Sequence, residues 1–438
     1  MAANPSVVID RDTTGPAAPD GTAAGTTTTT TTRITTSTTT APSTSTTKVK
    51  SPILVLGGTG TVGSRIAAQL AASHHPVVIA SRSAKSSPST SASSDSEPNK
   101  RANSTEKNEN LHRVYFDWLD RSTWSNPFNY ISSLTKQQLE KEKSDPRAQP
   151  SPYSTTAAER EALAQDSAQR EEEQKQAWKI QSVYLIAPPG VMDAAGVMMD
   201  FVDFARRLPA PGFEDSTEGE ARDGGGVKRF VLQSASCIEP GGPAMGKVHG
   251  YFRELGSRGE IEWAVLRPSW FQQNFAVQDN HVQSIRDEGK IYSATGDGKI
   301  PWISADDIAA VAVQALTMPV APNTEFLVLG PELLSYDDIA STLSDVLGKK
   351  IVHVDLTSGD LERRHRSFGM PEDYSSMMSA LDTGIKYGME NRTNDLVLSV
   401  TGVAPKTFRE YAESVKHVWQ PSGVETVVKP VEVVWTAA

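Results

Sequence analysis

The chain has 438 residues, with 53 acidic and 43 basic side chains and a formal net charge of -10. That balance argues against a nucleic-acid-binding face, which needs clustered Lys and Arg, and a single cysteine, Cys237, excludes an intramolecular disulfide framework or a Cys-rich metal site. No run approaches the roughly 18 apolar residues of a membrane span, and residues 1–50 have neither the apolar core of a secretory signal nor an Arg-rich transit bias; the expectation is a cytoplasmic protein without membrane partners.

Residues 1–50 are dominated by Thr, Ser, Ala, Pro and Gly, with an unbroken run from Thr26 to Thr32. Such a segment has too little apolar surface to offset its ordering entropy, so a disordered tail is expected. Three further stretches, near 84–110, 136–176 and 210–226, have similarly unsuitable compositions and are expected to be insertions. Without them about 300 residues remain, enough for one large domain and a small lobe.

Order is expected to begin at Pro52. Ile53–Leu56 is a short apolar run of the kind that forms a fully buried strand. Thr61–Ser73 has helical spacing, with Val62, Ile66 and Leu70 on one stripe, and Val77–Ala80 is a second buried strand. Strand, glycine turn, helix and strand make a βαβ unit with parallel strands. Further strands are expected at Leu111–Phe116, Val183–Ile186, Phe230–Leu232 and Trp263–Leu266, with helices at Val197–Arg207 and Ala244–Leu255.

After Pro268 the rhythm changes. Phe326–Leu329 and Ile351–Val354 look like strands. Ser304, Ser335 and Thr407, each followed by acids, look like helix N-caps. The expected architecture is a Rossmann-type, doubly wound parallel sheet at 51–275, a smaller and mainly helical lobe at 276–420, and a loose tail at 421–438.

The strongest chemical signal is Gly57-Gly58-Thr59-Gly60-Thr61-Val62-Gly63, between a buried strand and a helix. In that context the glycines form a dinucleotide cradle: Gly57 makes the turn, Gly60 admits the pyrophosphate, and Gly63 lets the helix pack close. The helix N-terminus then faces the anion. An NAD-preferring site places an acid about 20 residues beyond the glycines. Here the second strand instead ends Ser81-Arg82-Ser83, and the next acid is Asp95. Arg82 suits a ribose 2′-phosphate, flanked by two hydroxyls, so NADP(H) is the expected cofactor.

Other strand ends converge on the same crevice. Asp117 and Trp118 are candidates for the adenine side, Pro188 and Pro189 for a stiff wall beside the cofactor, and Ser234 for the reacting side; ordinary loop or core packing is the competing reading for each. The helix after Ser234 lacks the Tyr-x-x-x-Lys pair of ordinary short-chain dehydrogenases, since Tyr251 is followed by Leu255. Lys247 and His249 remain as polar candidates, His249 as a proton donor or ribose ligand, against the alternative of a helix-surface histidine. Cys237 reads as a small buried side chain. No metal site is expected: the histidines are scattered, and Asp306, Asp307, Asp337 and Asp338 are explained by capping.

Together, Gly57–Gly63, the Ser81–Ser83 strand end and Leu266–Phe275 resemble the NmrA-like, atypical short-chain dehydrogenases. Phe116–Asp120, Gly241–His249, Ile291–Pro301 and Leu327–Asp338 are similar to the fungal festuclavine and agroclavine dehydrogenases of ergot alkaloid biosynthesis. The resemblance spans about 52–420, interrupted by the three insertions, which depart from the family pattern. It implies an NADPH-dependent oxidoreductase acting on the C=N bond of a cyclic iminium, with an indole-bearing or other apolar small molecule as partner. Trp270, Phe271, Asn274, Phe275 and Trp302 would then line the substrate pocket, with core packing as the alternative. A carbonyl, enone or quinone reductase and a non-catalytic NADP-sensing regulator stay open at this point.

Overall fold

The computed structural model describes residues 50–84, 110–144, 165, 179–208 and 226–420. The expected Thr/Ser-rich tail, most of the three expected insertions and the C-terminal tail lie outside the described residues.

The central sheet has seven strands: β1 (Ile53–Leu56), β2 (Val77–Ser81), β3 (Leu111–Tyr115), β4 (Ser182–Leu185), β5 (Arg229–Gln233), β6 (Glu262–Pro268) and β9 (Thr324–Val328), in the order β3-β2-β1-β4-β5-β6-β9. Every neighbouring pair is parallel. The short apolar runs form strands because both their faces are covered: β1, β2, β4 and β5 are buried along their whole length. The chain order reverses beside β1, so the β1/β4 boundary is the switch point at which such folds bind ligands.

One face carries α2 (Asn126–Ser144), α3 (Ala195–Arg206) and α4 (Met245–Ser257), packed over Leu54, Val183, Phe230 and Val265. The other carries α1 (Thr61–Ala72), α7 (Ala305–Thr317) and α11 (Leu396–Thr401), packed over Val55, Tyr184, Val231 and Leu266. The short helices α5 (Asn274–Val277) and α6 (Asp279–Gln283) lead away from the sheet. Beyond them lie β7 (Lys290–Ser293), β8 (Ile300–Pro301), β10 (Leu333–Leu334), α8 (Tyr336–Leu347), β11 (Val352–Asp355), α9 (Ser358–Ser367), α10 (Glu372–Lys386) and α12 (Phe408–Val415). These surround a second core of Phe275, Trp302, Tyr336, Ile339, Phe408 and Trp419.

Two expectations change. The stretch at 136–176 does not begin as an insertion, because residues 136–144 are the second half of α2. Ile131 and Thr135 bury, and Phe128 and Leu134 pack beside them. That three-to-four-residue spacing is helical, but the charged residues after Gln137 mask it. The run Phe326–Leu329 is not a lobe strand either. Phe326–Val328 belong to β9, which pairs with β6 in the main sheet, and α7 covers it. The N-caps agree with expectation. The Ser304 hydroxyl accepts from Asp306 N–H, and Ser335 and Thr407 form capping boxes with Asp338 and Glu410.

Candidate active site

The glycine loop is built by steric necessity. Gly57 sits at φ +67°, where a Cβ would also lie 2.6 Å from the Ile186 side chain. At Gly63 a Cβ would lie 2.4 Å from the Gly57 carbonyl oxygen, so only glycine lets α1 approach the turn this closely. Thr59 and Gly60 are exposed, Thr61 is half-buried, and Val62 is buried in the core under α1. The Gly60 N–H is spent on the Gly57 carbonyl at 2.9 Å. Thr59 and Gly60 are exposed at the start of α1, where a pyrophosphate would meet the helix N-terminus.

At the end of β2, Ser81 is buried and its hydroxyl lies 3.1 Å from that of Ser83. Arg82 is exposed and has no hydrogen bond or ion pair among the described residues. It stands one strand away from the glycine loop, since β1 and β2 pair from Ile53↔Val77 to Leu56↔Ala80. Asp117 is half-buried, and its carboxylate accepts the Leu119 N–H at 3.0 Å. Trp118 is not poised for an adenine. It is 6% exposed and packs edge-on against Phe116 and Phe201, because its large apolar area gains more inside the α2–α3 layer than on a loop. After β4, Pro188 is buried and Pro189 half-buried.

Beyond β5 the polar candidates stand in different environments. Ser234 is buried and its hydroxyl has no partner among the described residues. His249 on α4 is fully buried, not a surface histidine, and neither ring nitrogen has a partner among the described residues. Its ring lies 5.8 Å from that of Trp263. Burial pushes its imidazole below the ordinary histidine value, with Arg267 adding to this and Glu325 opposing it. Lys247 is half-exposed and ion-pairs with Asp193 at 2.5 Å. Tyr251 points elsewhere: its hydroxyl donates to Asp203 at 2.6 Å, and burial followed by that bond raises its pKa. Cys237 is half-buried, and burial, then Glu390, pushes its thiol upward, away from nucleophilic character.

The aromatic candidates divide. Phe275 and Trp302 are buried side by side in the second core, with ring centroids 4.9 Å apart, and Phe271 is buried in the core under α1 and α7. These three are packing residues rather than open pocket walls. Trp270 and Asn274 are half-buried and keep an open side. Among the described residues, no group of three or more His, Cys, Asp or Glu is placed to hold a metal ion, and no helix is long and apolar enough to cross a membrane.

Residues 53–133 match the model of the NAD dependent epimerase/dehydratase family. The chain is 38% identical over 368 residues to festuclavine synthase II of Penicillium roqueforti (strain FM164), covering 84% of this chain and 99% of that protein. It is 34% identical over 368 residues to agroclavine dehydrogenase of Claviceps fusiformis, covering 84% and 98%. The chain belongs to the festuclavine synthase and agroclavine dehydrogenase family. Members of this NmrA-like family are oxidoreductases, and this chain is one of them, using a nicotinamide cofactor and a small-molecule substrate. The fold is shared more widely. The structure of Citrobacter sp. triphenylmethane reductase complexed with NADP(H) matches with a TM-score of 0.54 at 15% identity, covering 83% of this chain and 99% of that one.

A polar network beside the candidate residues escapes sequence reasoning. Ser236, just beyond β5, donates its hydroxyl to Glu390 at 2.7 Å. Its carbonyl accepts from both Arg267 and Arg392, each at 2.9 Å. Arg267 also pairs with Glu239, and with Glu325 at 2.7 Å. Ser234 is visible in sequence as a strand-end serine, with Ser236 two residues on. Their partners are not, because Glu390 lies 154 residues away in the chain.

Proposed function

We propose that this chain is an NADPH-dependent reductase of a C=N bond, acting on a cyclic iminium of an indole or ergot alkaloid. When bound, the cofactor supplies a hydride to the iminium carbon, and the C=N π pair moves to nitrogen to give a neutral amine. Carbonyl reduction would require a proton donor for the developing alkoxide; iminium reduction does not. The observation that carries the reading is the state of Tyr251. Its hydroxyl is engaged by Asp203 on α3, and Leu255 stands four residues on, so the tyrosine–lysine pair is missing from the helix that would carry it. Family membership supports the same substrate class, because the relatives are named for festuclavine and agroclavine.

NADPH is favoured over NADH by Arg82. It is exposed, without a partner among the described residues, and flanked by the hydroxyls of Ser81 and Ser83. Gly57, Thr59, Gly60, Thr61, Val62 and Gly63 would hold the pyrophosphate, Pro188 and Pro189 would flank the cofactor, and Trp270 and Asn274 would face the substrate. The test is NADPH consumption with 2-methyl-3,4-dihydro-β-carbolinium, an indole-fused cyclic iminium, with the amine identified by mass spectrometry after transfer of deuteride from C4-labelled NADPH. Turnover with one deuterium in the amine is expected. Consumption with a neutral quinone or ketone alone, or cofactor binding without consumption, would overturn the reading.

A further inference from the structure

Between Trp270 and Asn274, the two candidates that keep an open side, the chain buries three residues in a row: Phe271, Gln272 and Gln273. Phe271 joins the core under α1 and α7. The two glutamines need a different reason. A buried primary amide costs free energy unless its polar atoms are paired, and an apolar side chain would fill the same space without that demand.

Gln272 turns to the lobe, where its Nε2 donates to the carbonyls of Trp302 at 3.2 Å and Lys406 at 2.8 Å. Gln273 reaches the start of α7. Its Oε1 accepts the Ala305 N–H at 2.8 Å, and its Nε2 donates to the Ser304 hydroxyl at 3.4 Å. The first N–H groups of a helix have no partner within it. The Ser304 hydroxyl serves Asp306 N–H at 3.1 Å, which leaves the N–H of fully buried Ala305 to Gln273. Gln273 is thus a helix cap delivered from 32 residues upstream. The backbone follows the same line: the Trp270 carbonyl accepts the Ile303 N–H at 3.0 Å, and the Gln272 N–H donates to the Ile303 carbonyl at 2.9 Å.

The end of α7 that receives Gln273 is also tied to α1. Asp306 pairs with Arg65 at 2.7 Å, and Arg65 donates to the Thr61 carbonyl at 2.6 Å, in the first turn after the glycine loop. A continuous string of contacts therefore runs from Thr61 through Arg65, Asp306 and Ser304 to Gln273. The side chains of Trp270 and Asn274 make no hydrogen bond among the described residues. Their placement is inherited from the backbone between them.

The geometry points to Gln273 as the positioning residue that sets Trp270 and Asn274 at a fixed distance from the glycine loop, with the first N–H of α7 as its anchor. This deepens the iminium-reductase reading and rests on it for the substrate that Trp270 and Asn274 would face. Hydride transfer depends on the alignment of donor and acceptor, and a displacement of about 1 Å costs on the order of 100-fold in rate. NADPH would be held by the glycine loop and the end of β2, so its affinity is independent of residue 273.

The test uses the full chain and two variants. Gln273→Met keeps the length of the side chain and loses the acceptor. Gln273→Glu keeps an acceptor for the Ala305 N–H whether or not it is protonated. Single-turnover mixing of the NADPH complex with 2-methyl-3,4-dihydro-β-carbolinium measures hydride transfer, and calorimetry measures binding of the product amine to the NADP+ complex. NADPH titration and melting temperature are the controls. Gln273→Met should slow hydride transfer by about 10- to 100-fold and weaken amine binding, with NADPH affinity within about twofold. Gln273→Glu should recover most of the loss. Gln273→Asn, whose shorter side chain withdraws the acceptor, takes the place of Gln273→Met if that variant does not fold. Unchanged hydride transfer in Gln273→Met, an equal loss of NADPH affinity, or the same loss in Gln273→Glu would overturn the proposal. Amine binding that depends on residue 273, without reduction of the carbolinium by the natural chain, would leave it standing and overturn the reductase reading instead. Reduction that is indifferent to residue 273 would do the reverse, and a natural chain that neither binds the amine nor reduces the carbolinium would overturn both.

Discussion

Individual side chains divide into those whose role follows from local sequence and those whose role is set by distant neighbours. Gly57, Gly63 and Arg82 belong to the first kind: a turn, a close approach and a strand end are local properties. Trp118, Phe275 and Trp302 belong to the second. A large aromatic ring fits a pocket wall and a core equally well in sequence, and only the surrounding layers decide, here in favour of the core. Two expectations follow at this scale. Replacing Arg82 with alanine should weaken NADPH binding by roughly 10- to 100-fold while leaving NADH nearly unchanged, because only the 2′-phosphate needs a charge-assisted donor. Fluorescence titration with both cofactors checks this, and equal losses would sink it. Removing a true general acid costs about 10²–10⁴-fold in rate. His249→Ala and Ser234→Ala should each lose less than about 10²-fold on a cyclic iminium. Burial holds the imidazole of His249 below the ordinary histidine value, and it has no partner among the described residues to relay a proton, so it is a poor proton source near neutral pH. A loss of about 10³-fold with cofactor affinity intact would identify the proton donor that the iminium reading omits.

At the level of elements, continuous apolar runs made β1, β2, β4 and β5 legible, because a parallel strand covered on both faces needs no alternation. The polar network of the C-terminal region was not legible, since it joins residues from separate elements. Ser293 at the end of β7 lies 2.8 Å from His353 Nε2 on β11, whose Nδ1 lies 3.3 Å from Asp337 on α8. With Ser293 fully buried, this hydroxyl–imidazole–carboxylate string ties strands to a helix rather than facing a substrate. Beside it, Asp382 on α10 accepts the Ala294 N–H at 2.8 Å. Burial raises its pKa to about 7, the Ala294 bond opposes this, and Asp355 adds to it. The unfolded value is near 3.9. In the folded chain Asp382 therefore keeps its proton between about pH 4 and 7, where the unfolded chain has lost it. Its stabilising contribution is full below about pH 4 and is lost as pH rises to about 7, with a limiting slope of about 1.4 kcal/mol per pH unit. Asp382→Asn, which can still accept from Ala294, should flatten that slope and raise the melting temperature at pH 8. Urea titrations from pH 5 to 8 measure it, and parallel curves for both proteins would refute the assignment.

The whole molecule departs most from its sequence reading at the boundary between sheet and lobe. A change of rhythm after Pro268 suggested a domain ending near residue 275, but the chain returns to the sheet. It contributes α7 along α1, and β9 along β6, in register from Ala264↔Thr324 to Pro268↔Val328. The returning segment supplies Ile308, Val311, Ala312, Ala315, Leu316, Phe326 and Val328 to the core that also holds Val62, Ile66 and Leu70. A fragment comprising residues 50–275 would therefore keep the glycine loop while leaving one face of α1 and the outer edge of β6 uncovered. Each large apolar side chain so exposed forfeits about 1.5–3 kcal/mol of burial, and several such losses together exceed the 5–15 kcal/mol by which a typical domain is stable. The expected outcome is that residues 50–420 unfold in urea with a cooperative transition that NADPH shifts upward. The 50–275 fragment should instead bind a hydrophobic dye, show no cooperative transition, and gain nothing from NADPH. Cooperative unfolding of the short fragment, stabilised by the cofactor, would show that the sheet folds without its seventh strand and that the boundary near residue 275 is a real one.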